Sequence, residues 1–323
     1  MTDALEKLGK YYRGSRVGVI LIHGVTGTPT EMSTLAKELN RYGFSVLCPL
    51  LEGHCGTEED LLKATWLDWA KSVENAYNEF AKHVDVIFVG GLCAGATLGL
   101  HLARMLPGKI RGLCLCSVLL KYDGWTIPKL NFLLPLYSRI PYFGKRYRFS
   151  EAWPYGIKNE RIRNKIYTQM SNGDSAAAGN AGTPGAVALE LNKFCRVIKS
   201  ELPEITTPAI LFHSQDDDIV SVRNAIYVKN HLGGTSLLVA LYNSYHMVTI
   251  DQERDVVFTR SAKYFYDLLN EQEQAELVKH IANDPKGANL IETLKNTEPY
   301  IEYPASELLK GLTPRRDWLG ALG

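Results

Sequence analysis

Residues 85–100 read DVIFVGGLCAGATLGL, and two structural periods meet inside them. Val86 to Val89 form an unbroken apolar run, the pattern of a strand buried on both faces of a parallel sheet. From about Ala94 the spacing predicts a helix. Between the two, Gly91-Leu92-Cys93-Ala94-Gly95 must turn the chain sharply, and the flanking glycines allow strand and helix to approach each other. The turn lifts its central side chain, Cys93, to the helix N-terminus, where the helix dipole favours negative charge. A thiol so placed is activated twice, by that dipole and by any neighbouring His.

The same alternation repeats outward from this joint. RVGVILIHG (16–24), FSVLCPL (44–50), IRGLCLCS (110–117), AILFHS (209–214) and LLVALYN (237–243) bring the expected strands to about six. Helical spacing fills the gaps: from Thr30, with a start like a capping box at Thr30 and Ser33, to Gly43; over 60–82; and around 222–232 and 254–270. This rhythm predicts an α/β fold with a mostly parallel, doubly wound sheet. Residues 1–120 and 200–270 form the expected core, and two regions depart from it. Residues 121–199 exceed a single crossover helix and are assigned to a lid or cap, whose middle, SNGDSAAAGNAGTPGA (171–186), is expected to be mobile. Residues 271–323 form a C-terminal extension, read either as packed structure or as a partner-docking tail, with a helical stretch over 272–281.

Composition excludes several classes. The 323 residues carry 36 Lys and Arg against 35 Asp and Glu, a net charge of +1, so bulk electrostatics gives no case for nucleic acid. The most apolar run, Ile110 to Leu120, contains Arg111 and falls short of the ~18 residues a membrane span needs. The opening MTDALEKLGK carries Asp3 and Glu6 and no apolar block ahead of a small-residue cleavage site, and does not read as a secretory leader. Six cysteines without regular spacing suggest reduced thiols in a cytoplasm. GVTGTP lacks the Lys-Ser/Thr of a phosphate loop, and His54 with Cys55 lacks further ligands at a recognisable spacing. No cofactor and no metal are expected.

Three further segments carry chemistry. His23-Gly24-Val25-Thr26-Gly27 ends the first long strand, HSQDDDIV (213–220) follows a late strand, and NSYHMV (243–248) follows the last. With LLEGHCGTEEDL (50–61), TWLDW (65–69) and GLCAG (91–95), they resemble the α/β-hydrolase superfamily, above all its bacterial carboxylesterase and monoacylglycerol lipase branch. The resemblance implies the α/β-hydrolase fold, with Cys93 in place of the usual nucleophilic Ser, Asp217 as orienting acid and His246 as base. Asp216 and Asp218 are then read as solvated loop carboxylates. The N–H groups of Val25 and Ala94 become the oxyanion donors, and His23 braces the loop. Cys55 stands where the family pattern GHG has Gly, and Ser214 where the acid loop prefers Gly.

A Cys nucleophile also occurs in dienelactone hydrolases and polyhydroxyalkanoate synthases of that superfamily. The resemblance therefore implies a thioester acyl-enzyme, and three functions stay open. One is an acyl hydrolase, an esterase or thioesterase; another is an acyltransferase moving an acyl group to an amine, alcohol or thiol; the last is a non-catalytic binding protein. Leu130, Phe132, Leu133, Leu134, Leu136, Tyr137, Ile140, Tyr142 and Phe143 offer an apolar wall for an acyl chain. Residues 145–165 carry seven basic against two acidic side chains, Arg161 and Arg163 among them. Such a rim would attract coenzyme A or an acyl carrier protein.

Overall fold

The computed structural model describes residues 2–127, 148–150, 152–171, 182–282, 287–297 and 308. The apolar wall at 130–143 and residues 172–181 of the small-residue stretch lie outside them. Seven strands form one sheet: β1 (Gly9–Tyr12), β2 (Val17–Ile22), β3 (Ser45–Pro49), β4 (Val86–Leu92), β5 (Leu113–Cys116), β8 (Ala209–Ser214) and β9 (Ser236–Leu241). Their order is β1-β3-β2-β4-β5-β8-β9, all parallel except β1, which runs antiparallel to β3. β2 through β5 and β8 are buried at every position, as their unbroken apolar runs require. Within this sheet, the strand absent from the sequence reading is β1. GKYY has no apolar run, and it is a strand because its main chain pairs with residues 46–49 of β3.

Helices cover both faces. On one lie α1 (Thr2–Leu8), α4 (Trp66–Phe80), α5 (Ala94–Met105), α7 (Gly185–Glu201) and α8 (Arg223–His231), packed around Trp69, Phe80 and Phe194. On the other lie α2 (Ser33–Arg41), α9 (Arg254–Asp267), α10 (Glu271–Ile281) and α11 (Gly287–Asn296). There Phe88 stacks on Phe265 with ring centroids 4.4 Å apart.

Two local expectations are corrected. Thr28 caps the 3-10 turn Pro29–Met32 by accepting the Thr30 N–H, and α2 follows directly from Met32 with no side-chain cap, so Thr30 and Ser33 do not form a capping box. The helix expected over 60–82 is two, α3 (Glu58–Lys63) and α4, because Thr65 opens a fresh capping box with Asp68. The segment assigned to the lid includes α7, which packs against α4 and α5 and serves as the crossover between β5 and β8. Ahead of α7 lie α6 (Glu160–Ser171) and an antiparallel pair, β6 (Arg148–Ser150) with β7 (Gly182–Pro184). No helix among the described residues is long and apolar enough to cross a membrane.

Candidate active site

The end of β4 turns into α5 at Cys93, which has φ 56° and ψ −119°. That strained geometry is held from both sides. A β-carbon at Gly91 would lie 2.4 Å from the Gly95 backbone, and one at Gly95 would lie 2.2 Å from the Ile22 carbonyl oxygen. Strand, turn and helix thus touch through glycine alone. The Cys93 N–H donates to Cys116 O at 2.9 Å, and its side chain is part-exposed. Cys48, Cys114, Cys116 and Cys195 are buried; burial, with Cys93 nearby, pushes the Cys195 thiol up to about 12.

Beside Cys93 runs the loop that follows β2. His23 Nδ1 donates to Gly24 O at 2.8 Å while its Nε2 accepts the Leu51 N–H, so the ring braces the loop. Burial and then His54 push His23 down to about 3, which keeps it neutral. His54 does the same for the next turn, with Nε2 accepting the Thr26 N–H at 3.1 Å. The Gly24 N–H goes to Glu31 and the Gly27 N–H to Gly24 O. Within 24–27 this leaves the Val25 N–H without an internal acceptor among the described residues. Gly24 lies close to Cys93, since a β-carbon on it would be 3.7 Å from the Cys93 Cβ. The Ala94 N–H belongs to the first turn of α5, where helix N–H groups lack intrahelical acceptors. The structure thus brings Gly24, the residue before Val25, close to Cys93, and Ala94 follows Cys93 at the helix start.

The acid and the histidine come from the loops after β8 and β9. Asp217 and His246 are both buried, with His246 Nδ1 at 2.9 and 3.0 Å from the two Asp217 oxygens. Asp217 Oδ1 also accepts the N–H groups of Ile219 and Val220, which fixes the carboxylate in place. Burial raises an acid, yet His246 and His213 hold Asp217 well below the usual carboxylate range. Burial alone would lower His246. The Asp217 charge, then Cys93, which also hydrogen-bonds the ring, hold it well above its ordinary value. Nδ1 being taken by Asp217, the interaction with Cys93 falls to Nε2.

Sequence reasoning missed the carboxylates that hold the histidine loop. Asp218 has no exposed surface and is not the solvated carboxylate expected; Asp216 is half-exposed and pairs with Lys158 at 3.6 Å. Asp251 and Glu253, inside the motif YHMVTIDQERD, accept N–H groups from Tyr245 and from Tyr242 and Asn243. Ser214, where the family prefers Gly, ties the two loops by donating to Ser244 O. The basic rim also differs from expectation. Arg163 is 11% exposed, donates to Ile157 O and lies over the Trp153 ring, while Arg161 is exposed. Lys145 and Arg146 lie outside the described residues.

Comparison with known proteins agrees with this fold. The family model described as serine aminopeptidase, S33 matches residues 14–253. The thermostable monoacylglycerol lipase of Bacillus sp. (strain H-257) is 30% identical over 79% of this chain and 92% of its own. A carboxylesterase of Bacillus subtilis (strain 168) is 22% identical over 76% of this chain and 91% of its own. A solved structure from work on the metagenome-derived lipolytic enzymes LipS and LipT aligns with TM-score 0.68 at 26% identity, covering 80% of this chain and 96% of that one. The chain belongs to the serine aminopeptidase S33 family and has the α/β-hydrolase fold of the esterase and lipase type.

Proposed function

We propose that the protein hydrolyses carboxylic esters of apolar acyl groups, with Cys93 as nucleophile, His246 as base and acid, and Asp217 as its orienting partner. The observation that carries this reading is the buried Asp217–His246 pair, with Cys93 on the other side of the imidazole. The Cys93 sulfur, its proton passed to His246, adds to the ester carbonyl, and the oxyanion accepts the Val25 and Ala94 N–H groups. Collapse breaks the C–O bond, and His246 gives its proton to the leaving alkoxide. Water, deprotonated by His246, then attacks the Cys93 thioester and releases the carboxylic acid and the thiol. The relatives' names point to monoacylglycerols as the first substrate class to test.

A second reading is acyl transfer to an amine, alcohol or thiol. It draws on Cys93 itself, because a thioester acyl-enzyme keeps its transfer potential. A carrier-bound donor gains little from the cap, where Arg163 is engaged with Ile157 and Trp153. The non-catalytic reading leaves the buried charge of Asp217 without a purpose.

Intact-protein mass spectrometry after incubation with monoacylglycerols, p-nitrophenyl esters and acyl-CoA tests the reading. An acyl adduct that turns over in water and is absent in Cys93→Ala is the expected result. An adduct released only on adding an amine or alcohol would favour transfer. Unchanged turnover in Cys93→Ala would overturn the assignment of the nucleophile.

A further inference from the structure

Two buried carboxylates outside the Asp217–His246 pair each hold the histidine loop and the cap at once. Asp251 accepts the Tyr245 and Lys158 N–H groups on Oδ2 and the Asn159 N–H on Oδ1, all at 2.8 Å. Asp218 accepts the Gly156 N–H on Oδ2 at 2.9 Å and the His246 N–H on Oδ1 at 3.3 Å. Consecutive N–H groups of the loop, 245 and 246, therefore share their acceptors with 156, 158 and 159 of the cap. The Met247 N–H adds a direct bond to Gly156 O at 2.8 Å. Gly156 itself has φ 71°, and a β-carbon there would stand 3.0 Å from the His246 Cβ. Segment 156–159 thus lies against the histidine.

Neutral carbonyls would satisfy these N–H groups without burying charge, and a buried carboxylate is costly even when hydrogen-bonded. Asp251 acts through the backbone it holds, while the charge of Asp218, which interacts with His246, also favours the protonated ring. We infer that Asp218 and Asp251 are positioning residues for His246, and that through them the cap segment 156–159 sets the imidazole against Cys93. The charged groups facing Asp218 are Asp217 and His246; Tyr245 faces both carboxylates, with Arg163 and Asp216 also near it. Burial and Asp217 push the Asp218 carboxyl up to about 6, so at neutral pH it is charged and accepts both bonds.

The inference rests on the reading of Cys93 and His246 as nucleophile and base, and the test separates the two. Alkylation by iodoacetamide is followed against pH at the Cys93 peptide, with exposed Cys55 as internal control. His246→Ala is expected to lose the reactive thiolate at low pH. Asp218→Asn and Asp251→Asn are each expected to move the Cys93 inflection up by about one pH unit, about tenfold slower on the acid limb. Cys55 is expected not to move. Profiles of the folded variants that superimpose on the wild type, with His246→Ala shifted, would overturn the positioning role and leave the triad standing. A His246→Ala profile identical to the wild type would overturn both. Amide exchange in the unmodified chain gives a reading that needs no variant. The N–H groups of Tyr245, His246, Gly156, Lys158 and Asn159 are expected to be protected together, and fast exchange at 156–159 beside a protected 245–246 would overturn the shared anchoring.

Discussion

Asp217 and Asp218 are chain neighbours, both buried, and their carboxyls move in opposite directions. Burial raises each; His246 and His213 reverse it for Asp217, whereas the charge of Asp217 adds to it for Asp218. The signs follow from linkage. The Asp217 contribution is present above its ordinary value of about 4 and is lost as pH falls. The Asp218 contribution is fully present below about 4 and is lost as pH rises through about 6. Unfolding followed from pH 4 to pH 7 is therefore expected to show the wild type losing about 3 kcal/mol relative to Asp218→Asn. A difference that stays flat across this range would contradict the burial argument. Cys55 offers a second test, since it sits at φ 60°, where the family pattern has Gly. Cys55→Gly is expected to raise stability by about 1 kcal/mol in urea unfolding, because a β-carbon is strained in the left-handed region. No gain would mean that the loop's own contacts outweigh the strain.

At the scale of elements, the joint between β4 and α5 leaves no room for side chains. A β-carbon at Gly95 meets the Ile22 and His23 carbonyl oxygens at 2.2 and 2.5 Å, and these belong to the backbone at the end of β2. In Gly95→Ala the helix must retreat from β2 and carry Cys93 away from Val25. A displacement of about 1 Å at a reacting atom costs about a hundredfold in rate. Ester hydrolysis is expected to fall by at least that factor while the circular dichroism spectrum stays that of the wild type; full activity would show that the helix can slide without loss. The break between α3 and α4 has a different origin. Apolar spacing runs through it, and only the Thr-x-x-Asp pairs at Thr57 and Thr65 mark two starts.

For the whole molecule, the extension after α9 bears on whether the core can stand alone. Leu277, Ile281, Leu290 and Leu294 are buried in the same cluster as Phe44 and Phe265. Arg111 reaches Glu273 with two bonds of 3.0 Å. Four such apolar side chains stabilise by about 1.5–3 kcal/mol each, together comparable with a domain's net stability of about 5–15 kcal/mol. Truncation after Asn270 is expected to lower the urea midpoint sharply or to yield insoluble chain; an unchanged midpoint would make the extension dispensable to the fold. Gly91 and Cys93 were legible because they close an apolar strand run just ahead of a helical period, whereas Asp217 and His246 entered through the resemblance of their loops; a parallel sheet gathers such loops on one edge. The sequence alone also determined the alternation of strands and helices, through its two periods. Only the tertiary structure decided that GKYY is a strand, that Asp218 is buried, and that Asp251 binds Lys158 across 93 residues of chain. Those outcomes depend on main-chain N–H groups finding acceptors far away in sequence, and a backbone donor leaves no mark on the identity of its residue.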